Sequence, residues 1–228
     1  MYDKVIIKSF KMIKKEINKN TEQKIIDVAT ELFAKRGFDG ASTREICNQA
    51  GVNISLISYY FGGKEELYKK IVENIVQKII NHAKQSMNFE TPPENFDNFS
   101  REEKIALLFK LMESIIDYFY SDNISTAALT ILLREQITSD VALNSFGYKI
   151  FKKLLASILE KDENDKDVIF RCLSIVGQMN SARILTQFSL KFLNQEKFTK
   201  EDIQLVKNIA ISQTKAILKD LETTDEKN

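Results

Sequence analysis

The stretch STREICNQAGVNISLISYYFGGK, residues 42–64, decides the fold of the N-terminal part of the chain. Ser42 followed three residues later by Glu45 is a capping-box signature, which predicts a helix that begins near residue 43. Gly51 ends that helix, because glycine adopts the left-handed conformation that a helix terminus often needs. The first helix of the segment is therefore short and bounded on both sides.

A second short helix follows within the same stretch. Asn53 or Ser55 caps its start, and it ends at Gly62–Gly63. Two short helices joined by a three-residue turn form a helix-turn-helix. In such a motif the first helix braces across the DNA backbone and the second lies in the major groove.

The rest of the chain also has helical periodicity. One helix is expected over about residues 21–36, after the N-cap Asn20 and before Gly37. The fourth is expected over 63–87, and Pro92–Pro93 then marks a break. Further helices are predicted near residues 100–120, 123–138, 140–160, 165–192 and 199–221.

Composition agrees with an all-α fold. The chain has 228 residues, of which 43% are hydrophobic and 29% are charged, an ordinary mixture for a protein with a packed core. Only 7 Gly and 2 Pro are present, too few for the many turns of an all-β protein.

Several functional classes are disfavoured by the same counts. Two Cys and one His cannot supply a disulfide framework, a multi-cysteine zinc site or a paired-histidine mechanism. We find no nucleophile elbow and no phosphate loop, so we expect no enzyme, no catalytic residue, no metal and no cofactor. No apolar run is long enough to span a membrane, and no signal peptide is evident, so we expect a cytoplasmic protein without a membrane partner.

Charge and glycine content suggest three segments: a basic extension over 1–19, a region of short helices over 20–65 that contains the helix-turn-helix, and a region of long helices over 66–228. The net charge is +1, but residues 1–19 hold six lysines. This extension either follows DNA phosphates or is simply solvated, and translation beginning at Met12 would leave most of it out.

Residues 23–68 resemble the DNA-binding region of the TetR family of bacterial transcriptional regulators. The residues that carry the resemblance are Ala29, Phe33, Gly37-Phe38, Ser42-Thr43-Arg44-Glu45-Ile46, Ala50-Gly51-Val52, Tyr60-Phe61 and Lys64-Glu65-Glu66-Leu67. The family usually has an aromatic residue where this chain has Ser58, and an alanine where it has Cys47. The resemblance implies a repressor with a helix-turn-helix DNA-binding domain over 20–65 and a variable, all-helical regulatory domain over 66–228 that binds a ligand and dimerises.

Residues of the helix-turn-helix are the candidate DNA contacts. Arg44 can reach a guanine edge, although a solvated surface arginine is the alternative, and Ile54 and Leu56 suit thymine methyl groups. The resemblance implies phosphate contacts for Tyr60 and Lys64. The full predicted set is Ser42, Thr43, Arg44, Asn53, Ile54, Ser55, Leu56, Ser58, Tyr59, Tyr60 and Lys64.

The C-terminal part offers a weaker set of candidates. Met112, Phe119, Gln178, Met179 and Arg183 either line an effector pocket or belong to the core and to interhelical contacts. The polar pair Arg134-Glu135 has the same two interpretations. The effector itself is unknown, and we expect it to be largely apolar.

We also expect a homodimer, because one short recognition helix reads too few base pairs, and a two-fold pair would bind a palindromic double-stranded operator. The expected interface is the pair of apolar stripes on the last two long helices. These are Val168, Cys172, Ile175, Met179 and Ala182, with Ile203, Val206, Ala210 and Ile217. Two other classes stay open: a helical protein-interaction module that binds no specific DNA, and a helical-bundle enzyme within residues 100–221.

Overall fold

The protein is helical throughout the part that its computed structural model describes, namely residues 2–87, 95–138 and 146–219. Those ranges contain ten helices and no strand, so the all-α prediction is confirmed. The helices are α1 (Tyr2–Gly40), α2 (Thr43–Ala50), α3 (Ser55–Phe61), α4 (Lys64–Met87), α5 (Arg101–Tyr120), α6 (Thr126–Thr138), α7 (Phe146–Leu159), α8 (Lys166–Ile184), α9 (Thr186–Leu193) and α10 (Lys200–Lys219).

Helix α1 begins much earlier than predicted. It starts at Tyr2 and continues through Asn20, so the prediction of a helix start near residue 21 is wrong. Residues 2–19 contain no glycine or proline and many good helix formers, and nothing in them interrupts the helix. The predicted end is correct, because Gly37 leaves the helical conformation with φ 75° and ψ 175°. A single further turn follows to Gly40.

The helix-turn-helix forms as its caps predict. The Ser42 hydroxyl oxygen accepts a hydrogen bond from the backbone N–H of Glu45 at 3.1 Å. Gly51 ends α2 in the left-handed region at φ 62° and ψ 41°. Asn53 Oδ1 accepts from the backbone N–H of Ser55, the first residue of α3, at 2.9 Å. Each cap satisfies backbone groups that a helix terminus otherwise leaves unpaired.

The C-terminal helices contain one wrong prediction. The helix expected over 165–192 is two helices, because Leu185 departs from helical geometry at φ −94° and ψ 38° between α8 and α9. The hydroxyl of Thr186 donates to the carbonyl oxygen of Arg183 and accepts from its Nη1 at 2.8 Å. A side chain that bonds to the backbone in this way competes with the helix ladder.

The chain forms two compact units. Unit 1 consists of Met1–Ile75 together with Thr126–Ile137, and unit 2 consists of Val76–Ser125 together with Thr138–Asn228. The predicted domain boundaries at residues 19 and 65 divide the chain by function and not by compactness, and they stay a prediction.

Helix α6 is attached to unit 1 by two hydrogen bonds. The hydroxyl of Tyr68 donates to Glu135 Oε1 at 2.7 Å. Arg134 Nη1 donates to the carbonyl oxygen of Phe33, also at 2.7 Å. Of the two interpretations of the Arg134-Glu135 pair, these contacts support interhelical hydrogen bonding.

The two apolar stripes proposed as a dimer interface lie largely inside unit 2. Val168, Cys172, Ile175 and Met179 are fully buried within the single subunit, and Ala210 is buried as well. The other stripe positions are half-buried. The expectation that these stripes form the interface is therefore wrong for the buried residues, whose side chains already pack in the core of the subunit, and it stays a prediction for the half-buried ones.

Candidate DNA-binding interface

The core of the helix-turn-helix holds α2 and α3 together. Ile46, Ala50 and Ile57 are buried, and Val52 in the turn is half-buried. These residues come from the inner faces of both short helices, which leaves the outer faces to solvent. Burial of this kind sets the crossing of the two helices.

Arg44 lies exposed in the first turn of α2. Within the described ranges it makes no hydrogen bond and no ion pair. The neighbouring Ser42 is exposed and Thr43 is half-exposed. The start of a helix also presents unpaired backbone N–H groups, which favour an anion such as phosphate.

The outer face of α3 exposes large apolar and aromatic groups. Ile54 is 52% exposed and Tyr59 is 73% exposed, while Ser58 is exposed and Leu56 is half-buried. Single exposed apolar residues are common on protein surfaces, but here Ile54 and Tyr59 lie only five residues apart, directly before and within one short helix. Asn53 and Ser55 bond to each other, since Asn53 Oδ1 also accepts from the Ser55 hydroxyl at 2.9 Å.

The two residues predicted to hold phosphates lie at the end of α3 and the start of α4. Tyr60 is half-buried, and its ring meets that of Tyr59 edge-on with centroids 5.0 Å apart. The ammonium group of Lys64 lies 4.4 Å from the ring centroid of Phe38. This cation–π contact restrains Lys64 close to the helix-turn-helix.

Two supporting contacts were missed by the sequence reasoning. Arg36 Nη1 bonds to Glu45 Oε2 at 2.7 Å, so the carboxylate that was expected to complete the α2 cap pairs with α1 instead. The other is the Phe38 ring beneath Lys64. Both partners lie beside Gly37 on α1, and no residue spacing signals which side chains the kink there brings to α2 and α4.

The candidate effector residues all belong to unit 2. Met112 and Met179 are fully buried, and Phe119 is nearly so. Gln178 Nε2 donates to the Thr214 hydroxyl at 2.9 Å, which links α8 to α10. Arg183 Nε donates to the carbonyl oxygen of Phe119 at 2.6 Å, so the structure brings these two candidates together.

The remaining chemistry of the described residues is sparse. They contain no group of three metal-binding side chains. Cys47 and Cys172 are both buried free thiols, and burial raises the pKa of Cys172 to about 11. Such a thiol stays protonated and unreactive at neutral pH. No described helix has the length and apolar character needed to cross a membrane.

Comparison with known proteins covers both parts of the chain. The family described as bacterial regulatory proteins, tetR family, matches residues 25–71. The C-terminal domain of the HTH-type transcriptional dual regulator CecR matches residues 105–221, just over half of the chain.

Among individual relatives, CecR of Shigella flexneri is 25% identical over 88% of this chain and 92% of its own length. The probable HTH-type transcriptional regulator YttP of Bacillus subtilis is 33% identical, but the match spans only 54% of each protein. A TetR-like transcriptional regulator from Rhodococcus sp. RHA1 shares the fold, with a TM-score of 0.56, 16% identity, and coverage of 84% of this chain and 92% of that one.

The capped helix-turn-helix, the all-helical C-terminal part and these matches agree with one another. The chain belongs to the TetR family of bacterial regulatory proteins, and it is a DNA-binding transcriptional regulator.

Proposed function

We propose that the protein is a homodimeric repressor that binds a palindromic operator in the cytoplasm and leaves it when a small-molecule effector binds. The observation that carries the DNA-binding part is the exposed surface of α2 and α3. Arg44 in the first turn of α2 is exposed and has no partner in the described chain, and Ile54 and Tyr59 are exposed before and within α3.

The roles of the individual contacts follow from their chemistry. Arg44 can form a bidentate pair with guanine, and Ile54 and Leu56 can meet thymine methyl groups. Tyr60 and Lys64 would hold phosphates, and such contacts position the protein without reading sequence. Ser42 and Thr43 would bind phosphate together with the start of α2.

The proposed dimer interface uses the outer face of α8 and α10 rather than the buried stripes. On α8, the exposed residues include Phe170, Leu173, Gly177 and Ile184, which recur at helical spacing. On α10, Leu205 and Ile209 are exposed. Two such helices from each subunit would form a four-helix interface, which removes these apolar groups from water.

Release by an effector is a shift of population. A ligand that binds better to the conformation with the wrong spacing between the two DNA-binding heads lowers the fraction of dimers that fit the operator. Helix α4 continues from unit 1 into unit 2, since the units divide between Ile75 and Val76. It is therefore the element through which we propose that the shift is transmitted. The name of the relative CecR, a dual regulator, is a reason to test activation as well.

Fluorescence anisotropy with duplexes from the DNA flanking the gene tests the DNA-binding proposal. We expect one palindromic duplex to bind at least about 1,000-fold more tightly than unrelated duplexes, with affinity falling steeply as salt rises. Binding that is weak, independent of salt and equal for all duplexes would contradict it. That outcome would favour the alternative, a helical protein-interaction module.

Sedimentation tests the interface. The double variant Leu173→Glu, Ile209→Glu places four like charges in the proposed four-helix contact, so we expect a monomer of 26.3 kDa. Lys215→Glu on α10 is the control and should remain dimeric. A dimer that persists in the double variant would place the interface elsewhere.

A further inference from the structure

Arg183 is a buried cation without an anionic partner in the described residues. It lies at the end of α8 in unit 2 with 7% of its surface exposed. Its Nε donates to the carbonyl oxygen of Phe119 at 2.6 Å, and its Nη2 donates to that of Ile124 at 3.3 Å. Its Nη1 donates to the hydroxyl of Thr186 at 2.8 Å. All three acceptors are neutral.

These contacts leave charge and donors to be satisfied. A guanidinium has five N–H groups and stays protonated in proteins, so two N–H groups of Arg183 are not used by the three bonds. Phe119 belongs to the last turn of α5, whose carbonyl end supplies about half of a negative charge. This half charge and the neutral acceptors do not fully compensate the buried guanidinium, which needs an anion or an equivalent partner.

Tyr120 adds a second unsatisfied group at the same place. Tyr120 directly follows Phe119, whose carbonyl oxygen accepts from Arg183, and Tyr120 is only 6% exposed. Its hydroxyl is buried and has no hydrogen-bond partner in the described chain. The backbone N–H of Arg183 is close enough to lower the pKa of this hydroxyl, but that N–H is part of the hydrogen-bond ladder of α8.

The titration of the two groups reflects their proximity. Burial raises the pKa of Tyr120, and the positive charge of Arg183 acts in the opposite direction. Burial also lowers the pKa of Arg183. At neutral pH the tyrosine is therefore a neutral hydroxyl donor that lies beside a cation.

We infer that unit 2 binds the anionic group of a small organic molecule, a carboxylate or a phosphate, through the Arg183 guanidinium and the Tyr120 hydroxyl. The inference rests on the proposed function, because it names the chemistry of the effector. A buried water would satisfy the hydrogen bonds but would leave the charge uncompensated, whereas an anion satisfies both. The ring of Tyr120, which meets that of Phe198 edge-on with centroids 5.1 Å apart, adds an aromatic group beside the hydroxyl for the apolar part of such a molecule.

Thermal unfolding of the full chain with four anionic probes tests the inference. The probes are sodium acetate, benzoate, octanoate and inorganic phosphate, each compared with sodium chloride at equal ionic strength. We expect at least one to raise the Tm of the wild type by about 4 °C or more at saturation. The carboxylate and phosphate arms show which anionic group is preferred.

Tyr120→Phe separates ligand binding from a structural role. This change removes only a hydroxyl that has no partner in the described chain, so we expect the Tm without probe to stay the same or rise. The shift caused by the effective probe should fall to half or less. Tyr118→Phe is the matched control, because it removes the same group from the same buried helix, and its probe response should equal that of the wild type.

Two results would overturn the inference: no probe raises the wild-type Tm above the chloride control, or Tyr120→Phe responds to the probes as fully as the wild type does. Duplex binding is measured on the same samples without probe. Tight DNA binding together with no anion response would refute this inference alone, whereas loss of all sequence-specific DNA binding would refute the proposed function.

Discussion

The helix-turn-helix of α2 and α3 and the pair α8 and α10 both carry apolar residues at helical spacing. The two regions differ in which of these residues are buried and which are exposed. In the helix-turn-helix, Ile46, Ala50 and Ile57 are buried, and the predicted contact residues are exposed or half-exposed. In α8, the stripe that was predicted to meet another subunit is the one that packs inside. The exposed apolar residues of α8 lie on a different face.

The difference shows how far local signals reach. Ser42, Gly51 and Asn53 act within three residues of themselves, so their effect on the helix-turn-helix does not depend on the rest of the fold. A long helix with apolar residues on two faces, such as α8, has no local signal that assigns one face to the core. The choice depends on which helices pack against it.

The largest effect is expected in α8, where Met179→Ala should lower the free energy of unfolding by about 2–5 kcal/mol in urea. Met179 is fully buried, so the change removes apolar contacts and leaves a cavity. Leu173→Ala on the exposed face is the control, and it should cost less than about 1 kcal/mol when both variants are unfolded at a protein concentration at which the subunits are dissociated. Similar losses from both variants would mean that the two faces do not differ as described.

In the helix-turn-helix, Arg44→Ala should weaken operator binding by about 1–3 kcal/mol and relax the preference at one base pair. Anisotropy on the operator and on duplexes with single base changes measures both effects. Arg36→Ala is the control, because Arg36 is held by Glu45, and any loss should be small and equal for all duplexes. Equal proportional losses for Arg44→Ala on every duplex would show that it holds phosphate instead of reading a base.

Two glycines should respond to the same substitution with opposite signs. Gly51→Ala should lower the free energy of unfolding by about 1–2 kcal/mol, because φ is 62° at this turn. Gly177→Ala in α8 should leave stability unchanged or raise it by about 0.4–1 kcal/mol, since a Cβ there meets no atom within 4 Å. Urea unfolding of the two variants side by side is the measurement, and a loss at Gly177 as large as that at Gly51 would contradict it.

The smallest effect is expected for Tyr60→Phe, which removes one neutral hydroxyl at the end of the recognition helix. Operator binding should weaken by about 0.5–1.5 kcal/mol, and by the same factor on every duplex. Anisotropy on the duplexes used for Arg44→Ala provides the comparison. A loss confined to one base change would show that Tyr60 reads sequence.

Much of the fold follows from residues that act locally. The starts of α2 and α3 are at or next to predicted capping residues, and Gly37, Gly51 and Gly62 have the positive φ expected of terminating glycines. The start of α1 was missed because Asn20 was interpreted as an N-cap. The residues before Asn20 are themselves helical, so Asn20 lies inside α1 and caps nothing.

Other features depend on contacts between distant residues. The break at Leu185 arises where Thr186 bonds to Arg183, which in turn bonds to carbonyl groups about 60 residues earlier. For the candidate site, the exposure of Arg44 and Ile54 was predictable from their positions in short helices. The pairing of Arg36 with Glu45 was not, since it depends on the path of α1 at Gly37.

The attachment of α6 has a consequence for how the protein is made on the ribosome. The Phe33 carbonyl bonds to a residue 101 positions later, and Tyr68 bonds to one 67 positions later. When residue 75 has been synthesised, unit 1 therefore still lacks some of its contacts. These contacts form only after residues 126–137 have been synthesised. At roughly 5–20 residues per second, that interval lasts about 3–12 s, during which the nascent helix-turn-helix unit lacks its last helix and is open to proteases and chaperones.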